Sequence, residues 1–296
     1  MDIISKKNIF LGFSTTLVAI SLALVFFLGL KPGIDLKGGT QWQIKFQNAA
    51  VSEETLAPLL KNGTGGADFS VKRTNDGSFI IRLPHISELQ RQAYLSAFKT
   101  LGEFDEKSFS TIGPAIGSEL KKKAVWAILS AIFCISLYIA WAFRKVSKPV
   151  KSWKYGIVTL ITLLHDVSIP AGLLALLGHF KGIEMDTNFI VSLLVIMGFS
   201  VHDTIVVFDR IRENLIVNRG KNIPLGNIIN FSVNETFVRS INTSLTLVLV
   251  LLALLFVGPP SLFYFILTIL VGTIFGTYSS IFVASPLLYL WGRERQ

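Results

Sequence analysis

Cysteine is nearly absent from this chain. Cys134 is the only one in 296 residues, so no internal disulfide framework or cysteine-bound zinc site is available. Charge is scarce too: Asp, Glu, Lys and Arg make up 16% of the residues, and there are four histidines. No glycine loop is followed by the Lys-Ser or Lys-Thr that a phosphate site requires. Gly38-Gly39 and Gly63-Thr64-Gly65-Gly66 lack that ending, so both read as turns. No paired catalytic groups, metal cluster or cofactor motif emerges, and any ATP must be used by something else.

Apolar residues are abundant instead. They form 51% of the chain and give a mean hydropathy of +0.57, too greasy for a soluble protein of this length. Six stretches reach the roughly 20 residues that cross a bilayer: 9–30, 124–143, 155–178, 188–208, 238–257 and 263–291. Lys6 and Lys7 precede the first, as in a signal peptide, but its apolar core ends Leu30-Lys31-Pro32 without a small-x-small cleavage pattern, so it reads as an anchor. The spacing predicts a polytopic α-helical membrane protein with segments 1–30, 31–122 and 123–296: a first span, a soluble domain and a five-helix bundle.

Lys and Arg flanking the spans set the orientation. Lys6, Lys7, Arg144, Lys145, Lys148, Lys151, Lys154, Arg210, Arg212, Arg219, Lys221, Arg293 and Arg295 all fall on one side of a six-span threading. That side is read as the cytoplasm, with both termini there and residues 31–122 outside it. Lys121, Lys122 and Lys123 depart from the rule, but they end a long translocated segment, where it is weak. Trp126, Trp141, Trp153, Tyr155, Tyr264, Tyr289 and Trp291 fall at span ends, where amphipathic rings prefer the headgroup level. Segment 31–123 holds 13 basic and 10 acidic side chains, so the net charge of +9 is mostly topology and gives no support to nucleic-acid binding.

The soluble segment reads as strand (40–46), helix (from Ser52 to Lys61), strand (69–73), a turn at Asn75-Asp76-Gly77, strand (78–83), helix (87–101, with Ser87 as N-cap and Gln90 three residues on) and strand (107–112). That βαββαβ order is the ferredoxin-like split unit. His85 stands alone beside Pro84 and reads as a surface or capping residue, so the domain is expected to bind or move.

Ionisable groups inside spans carry the functional reading, because a charge in hydrocarbon costs several kcal/mol unless paired, hydrated or protonated. At about 100° per residue, Asn188, Ser192, Ser200, Asp203 and Arg210 share one face of span four. Thr159, Thr162 and Asp166 share a face of span three, where Pro170 removes the N–H that would bond the Asp166 carbonyl. Glu235, Arg239, Asn242, Thr243 and Thr246 share a face of span five. Hydroxyl seams alone serve as interhelical glue, but glue does not require ionisable groups. Asp203 and Arg239 both lie within about two turns of the cytoplasmic boundary, so they are expected to meet. Asp203, Asp166 and Arg239 form the candidate proton pathway, with Ser200, Asn242 and Thr243 along it. His165 and His202 are possible relays, each about 100° from its neighbouring Asp. On span six, Gly272, Gly276, Ser280 and Ala284 repeat every four residues, a small-residue packing face. Residues 207–219 are expected to leave the membrane as an amphipathic helix with a solvated charged face.

Several motifs together resemble one family. Gly33-Ile34-Asp35-Leu36-Lys37-Gly38-Gly39-Thr40, Ile112-Gly113-Pro114-Ala115-Ile116-Gly117-Ser118-Glu119-Leu120, His165-Asp166, the run Met197-Gly198-Phe199-Ser200-Val201-His202-Asp203-Thr204 continuing through Asp209-Arg210-Ile211-Arg212-Glu213-Asn214, and Asn234-Glu235-Thr236-Phe237-Val238-Arg239-Ser240 are similar to the SecD/SecF family of bacterial protein-export membrane subunits, within the resistance-nodulation-division superfamily. The resemblance covers essentially the whole chain. It implies SecD as an obligate partner, the SecYEG channel and YajC nearby, an unfolded preprotein as substrate, and an inner-membrane location. It also implies that Asp203 matches the family's proton-path aspartate and Arg239 its membrane arginine, while His202 and Phe208 depart from the usual Asn and Ser. The function expected is proton-driven assistance to preprotein export. A small-molecule exporter half and a non-transporting assembly scaffold are the alternatives.

Overall fold

The computed structural model describes residues 2–48, 50–63, 69–74, 76–144 and 150–293. Lys145, Lys148, Asn75, the loop residues Thr64, Gly65 and Gly66, and Arg295 lie outside the described residues. In chain order the elements are α1 (Lys7–Leu28), α2 (Ile34–Lys37), β1 (Gly39–Phe46), α3 (Glu53–Gly63), β2 (Ser70–Arg73), β3 (Phe79–Leu83), α4 (Glu88–Lys99), β4 (Phe104–Ile112), α5 (Pro114–Ala142), α6 (Ser152–Lys181), α7 (Thr187–Val217), α8 (Leu225–Val257), a single 3-10 turn (Pro260–Leu262), α9 (Phe263–Phe282) and α10 (Ala284–Arg293). They divide into two compact units: Pro32–Val125, and the segment up to Lys31 together with the segment from Trp126 onward.

The smaller unit is built on alternation. Trp42, Ile44 and Phe46 of β1 point to one face with Phe79, Ile81 and Leu83 of β3, where Leu56 and Leu60 of α3 and Tyr94 and Phe98 of α4 cover them. The sheet is antiparallel in the order β2-β3-β1-β4, so the β1-α3-β2 and β3-α4-β4 units interleave. Ser87 caps α4 as its sequence predicts, accepting from Gln90 N at 3.3 Å while Gln90 Oε1 accepts from Ser87 N at 2.8 Å. His85, exposed at a strand end, pairs with Thr111 Oγ1 at 3.1 Å. The Gly38-Gly39 pair is a turn fixed by space as well as angle. Both have positive φ (82° and 142°), and a Cβ on Gly38 would come within 2.7 Å of Pro114 Cα.

In the larger unit, six helices are long and apolar enough to cross a membrane: Lys7–Leu28, Pro114–Ala142, Ser152–Lys181, Thr187–Val217, Leu225–Val257 and the stretch Pro260–Gly292. The protein is a multi-pass membrane protein. Several spans run past the expected ends. The amphipathic helix foreseen over 207–219 is the continuation of α7 to Val217, and α8 begins at Leu225. The last apolar stretch is not one helix: α9 stops at Phe282 and α10 restarts at Ala284. Pro286 explains the break, since it has no N–H to offer the Phe282 carbonyl one turn back.

Packing is concentrated in α6, α7 and α9. Phe143 stacks on Tyr155 with centroids 4.9 Å apart, and Phe208 meets Tyr155 edge-on at 5.2 Å. The residue that departs from the family's usual Ser is thus a fully buried core ring.

Candidate functional site

The site forms because α9 is slim on the side that faces α6 and α7. A Cβ on Gly272 would lie 2.3 Å from Ile196 Cδ1, and one on Gly276 would lie 3.3 Å from Ser200 Cβ and 3.8 Å from Asp166 Oδ2. At Gly272 and Gly276 the missing Cβ lets α9 approach closely, and two carboxylates reach the same helix.

Asp166 on α6 is fully buried. Its Oδ2 accepts from Ser200 of α7 and, at 2.7 Å, from Ser279 of α9. Its Oδ1 lies 2.8 Å from His165 Nδ1. Asp203 on α7 is 3% exposed, and its Oδ2 accepts from Ser280 Oγ at 2.6 Å. Consecutive serines on α9 therefore hold acids from two different helices. Ser240 of α8 is also buried near Asp203, although its hydroxyl makes no hydrogen bond of normal geometry. Around His165 the polar chain continues: its ring stacks on Tyr278 with centroids 6.2 Å apart, Tyr278 Oη donates to Phe10 O of α1 at 3.3 Å, and Ser14 lies 3.4 Å from the same hydroxyl. His165 Nε2 is buried without a hydrogen-bond partner.

Arg239 is not at Asp203. It is exposed, and among the described residues no ion pair joins the two. The reason lies in α8, whose face toward the bundle carries Thr236, Ser240 and Ser244, all buried. Arg239 stands about 100° around the helix from Ser240. Asn242, Thr243 and Thr246 are exposed with it, so beyond Glu235 the third polar seam faces away from the bundle, while Thr159, Thr162 and Asp166 of α6 and Ser192, Ser200 and Asp203 of α7 are buried. Thr243 Oγ1 donates to the Arg239 carbonyl at 2.8 Å.

The histidines also differ from expectation. His165 reaches its neighbouring acid despite the wheel angle, because the two short side chains lean together. His202 is exposed. Beyond the acids, Arg210 of α7 makes a two-pronged pair with Glu235 of α8, Nε and Nη2 lying 2.7 and 2.6 Å from the two carboxylate oxygens. Asn214 bridges Ser232 and Glu235 at 3.0 and 2.9 Å. These charges, expected to form a solvated face, fasten two helices together. The sequence reading missed Ser279 and Tyr278 altogether. The signal lay in the pattern Gly-x-x-x-Gly-x-x-Ser-Ser, which sets two hydroxyls one turn past a close-packing face.

The comparisons with known proteins point in one direction. The family described as Protein export membrane protein SecD/SecF, C-terminal, matches residues 92–294, and the SecD/SecF GG Motif matches residues 23–50. Protein translocase subunit SecF of Thermobaculum terrenum is 39% identical over 302 residues, covering 98% of this chain and 94% of that protein. Its counterpart in Sebaldella termitidis is 36% identical, covering 100% and 93%. The crystal structure of SecDF, a translocon-associated membrane protein from Thermus thermophilus, superposes with a TM-score of 0.84 at 34% identity, covering 98% of this chain and 38% of SecDF. The chain thus spans about two fifths of SecDF but nearly the full length of the SecF relatives. With one family profile over two thirds of its length, another over its paired glycines and near full-length relatives on both measures, the chain belongs to the SecD/SecF family of protein-export membrane proteins.

Proposed function

We propose that this chain works with SecD as half of a proton-driven machine that assists late steps of preprotein export through SecYEG, with YajC nearby, in the bacterial inner membrane. The observation that carries the reading is the pair of buried carboxylates, Asp166 and Asp203, held only by hydroxyls and one imidazole inside membrane-spanning helices. Among the described residues no fixed counter-ion sets their charge, so it follows the water that reaches them, and a cycle of access turns proton flow into movement. The transmembrane potential adds about 2.3 kcal/mol per charge per 100 mV.

Two features support a SecD partner. The Thermus thermophilus relative named SecDF carries the matching region as 37% of one longer polypeptide. The outward face of α8 also presents Arg239, Asn242 and Thr243, polar groups that lipid tails disfavour and a second bundle would cover. In this reading Arg239 faces the partner bundle across the junction of the two halves. Both termini are cytoplasmic, residues 31–122 lie outside the cytoplasm, and their sheet and helices engage the emerging unfolded chain. In this reading the proton gradient, and not ATP, is the energy source.

Asp203→Asn tests the reading in membrane vesicles holding the chain with its partner and channel. Translocation driven by an imposed proton gradient is expected to fall to its gradient-free level while assembly is retained. Unimpaired translocation would favour the scaffold alternative instead.

A further inference from the structure

Each serine hydroxyl on the bundle-facing turn of α9 has one hydrogen and two acceptors within reach. Ser280 Oγ lies 2.6 Å from Asp203 Oδ2 and 2.9 Å from its own helix carbonyl, Thr277 O. Ser279 Oγ lies 2.7 Å from Asp166 Oδ2 and 3.1 Å from Gly276 O. One hydrogen cannot serve both, but a hydroxyl oxygen also accepts.

We propose that Ser279 and Ser280 are positioning residues that follow the protonation of the two buried acids by turning their single hydrogen between carboxylate and helix backbone. With the carboxylate ionised, the hydroxyl donates to it. When a proton arrives from water and forms the carboxyl O–H, that O–H donates to the serine oxygen and the serine hydrogen swings back to Thr277 O or Gly276 O. On release the sequence reverses, with no other bond formed or broken. The serine hydrogen and the carboxyl hydrogen each have an acceptor in both states, which removes the desolvation cost that orphaning either of them would impose.

Consecutive residues of a helix point about 100° apart, which is how one turn of α9 faces an acid on α6 and another on α7. That turn registers the charge of both. The groups facing Asp203 are the hydroxyls of Ser280 and Ser240, with His202 as the titratable neighbour on its own helix; those facing Asp166 are His165, Ser200 and Ser279. This inference rests on the proposed proton uptake by Asp203.

Infrared difference spectroscopy on the full chain with its partner in membranes separates the two ideas. On acidification, wild type is expected to show the carbonyl stretch of a neutral carboxyl that is absent in Asp203→Asn. In Ser280→Ala that band should persist at a shifted frequency, and Ser280→Thr, which keeps the hydroxyl, should return it close to the wild-type position. Ser279→Ala should leave the Asp203 band in place while moving the band lost in Asp166→Asn. A band unmoved by Ser280→Ala would overturn the serine inference and leave proton uptake standing. Absence of any band lost in Asp203→Asn would overturn proton uptake itself, and the inference with it.

Discussion

Single side chains carry two kinds of electrostatics in this protein. Outside the membrane, Asp76 accepts from Thr74 Oγ1 and from Ser78 Oγ at 2.9 Å, and these bonds hold its carboxyl down at about 2, against an ordinary 3.8. A depressed carboxyl stabilises the fold above its unfolded value and ceases to do so as pH falls through the folded one. The amide protection factors of β2 and β3 are therefore expected to fall in wild type between pH 4 and 2, and this acid limb should be weaker in Asp76→Asn. Between the membrane helices, Arg210 and Glu235 keep side-chain exposures of 34% and 29%. Solvent screening then limits their pairing, and a double-mutant cycle with Arg210→Ala and Glu235→Ala should show only weak coupling.

At this scale the sequence was a partial guide. Asp203 and Asp166 were legible because an acid in an apolar run has few other uses. Arg239 was misplaced because a shared wheel face does not say which face packs inward, and on α8 the answer was set by Ser240 and Ser244. His165 reaches Asp166 although the two stand about 100° apart on the wheel, because wheel angles follow Cα directions and neglect how far side chains lean. Ser279 carried no signal of its own, since a serine in a membrane helix is most often glue.

Elements show the opposite balance. The alternation of β1, the capping box of α4 and the four-residue repeat of α9 each follow from a period the sequence displays openly. Helix ends were less legible: α7 and α8 extend beyond their apolar cores because polar residues with a partner helix to bind, such as Asn214 and Ser232, continue a helix as readily as leucines do. The repeat of α9 makes a firm prediction. Gly272 packs against Ile196 with no room for a Cβ, so Gly272→Leu should force the α7–α9 contact apart. The expected cost is about 1–3 kcal/mol, read as a lowered unfolding midpoint in detergent. It should also weaken the Ser280 bond to Asp203, about two turns along the same interface.

The whole molecule is uneven in its burial. About half or more of the apolar window is buried in α6, α7 and the final stretch (56%, 50% and 67%), whereas α1, α5 and α8 bury 11%, 6% and 17%. Three helices form the working core, and three present broad apolar faces that lipid or a second bundle must cover. The acids lie in the first group and the arginine in the second. The proposed function therefore requires that protons reach Asp203 and that the outward face of α8 is covered. The most direct measurement is proton flux into vesicles that hold the chain with its partner and channel, recorded while a preprotein is translocated under an imposed gradient. The account predicts a flux that accompanies translocation in wild type and is lost in Asp203→Asn. Equal flux in the two would contradict it.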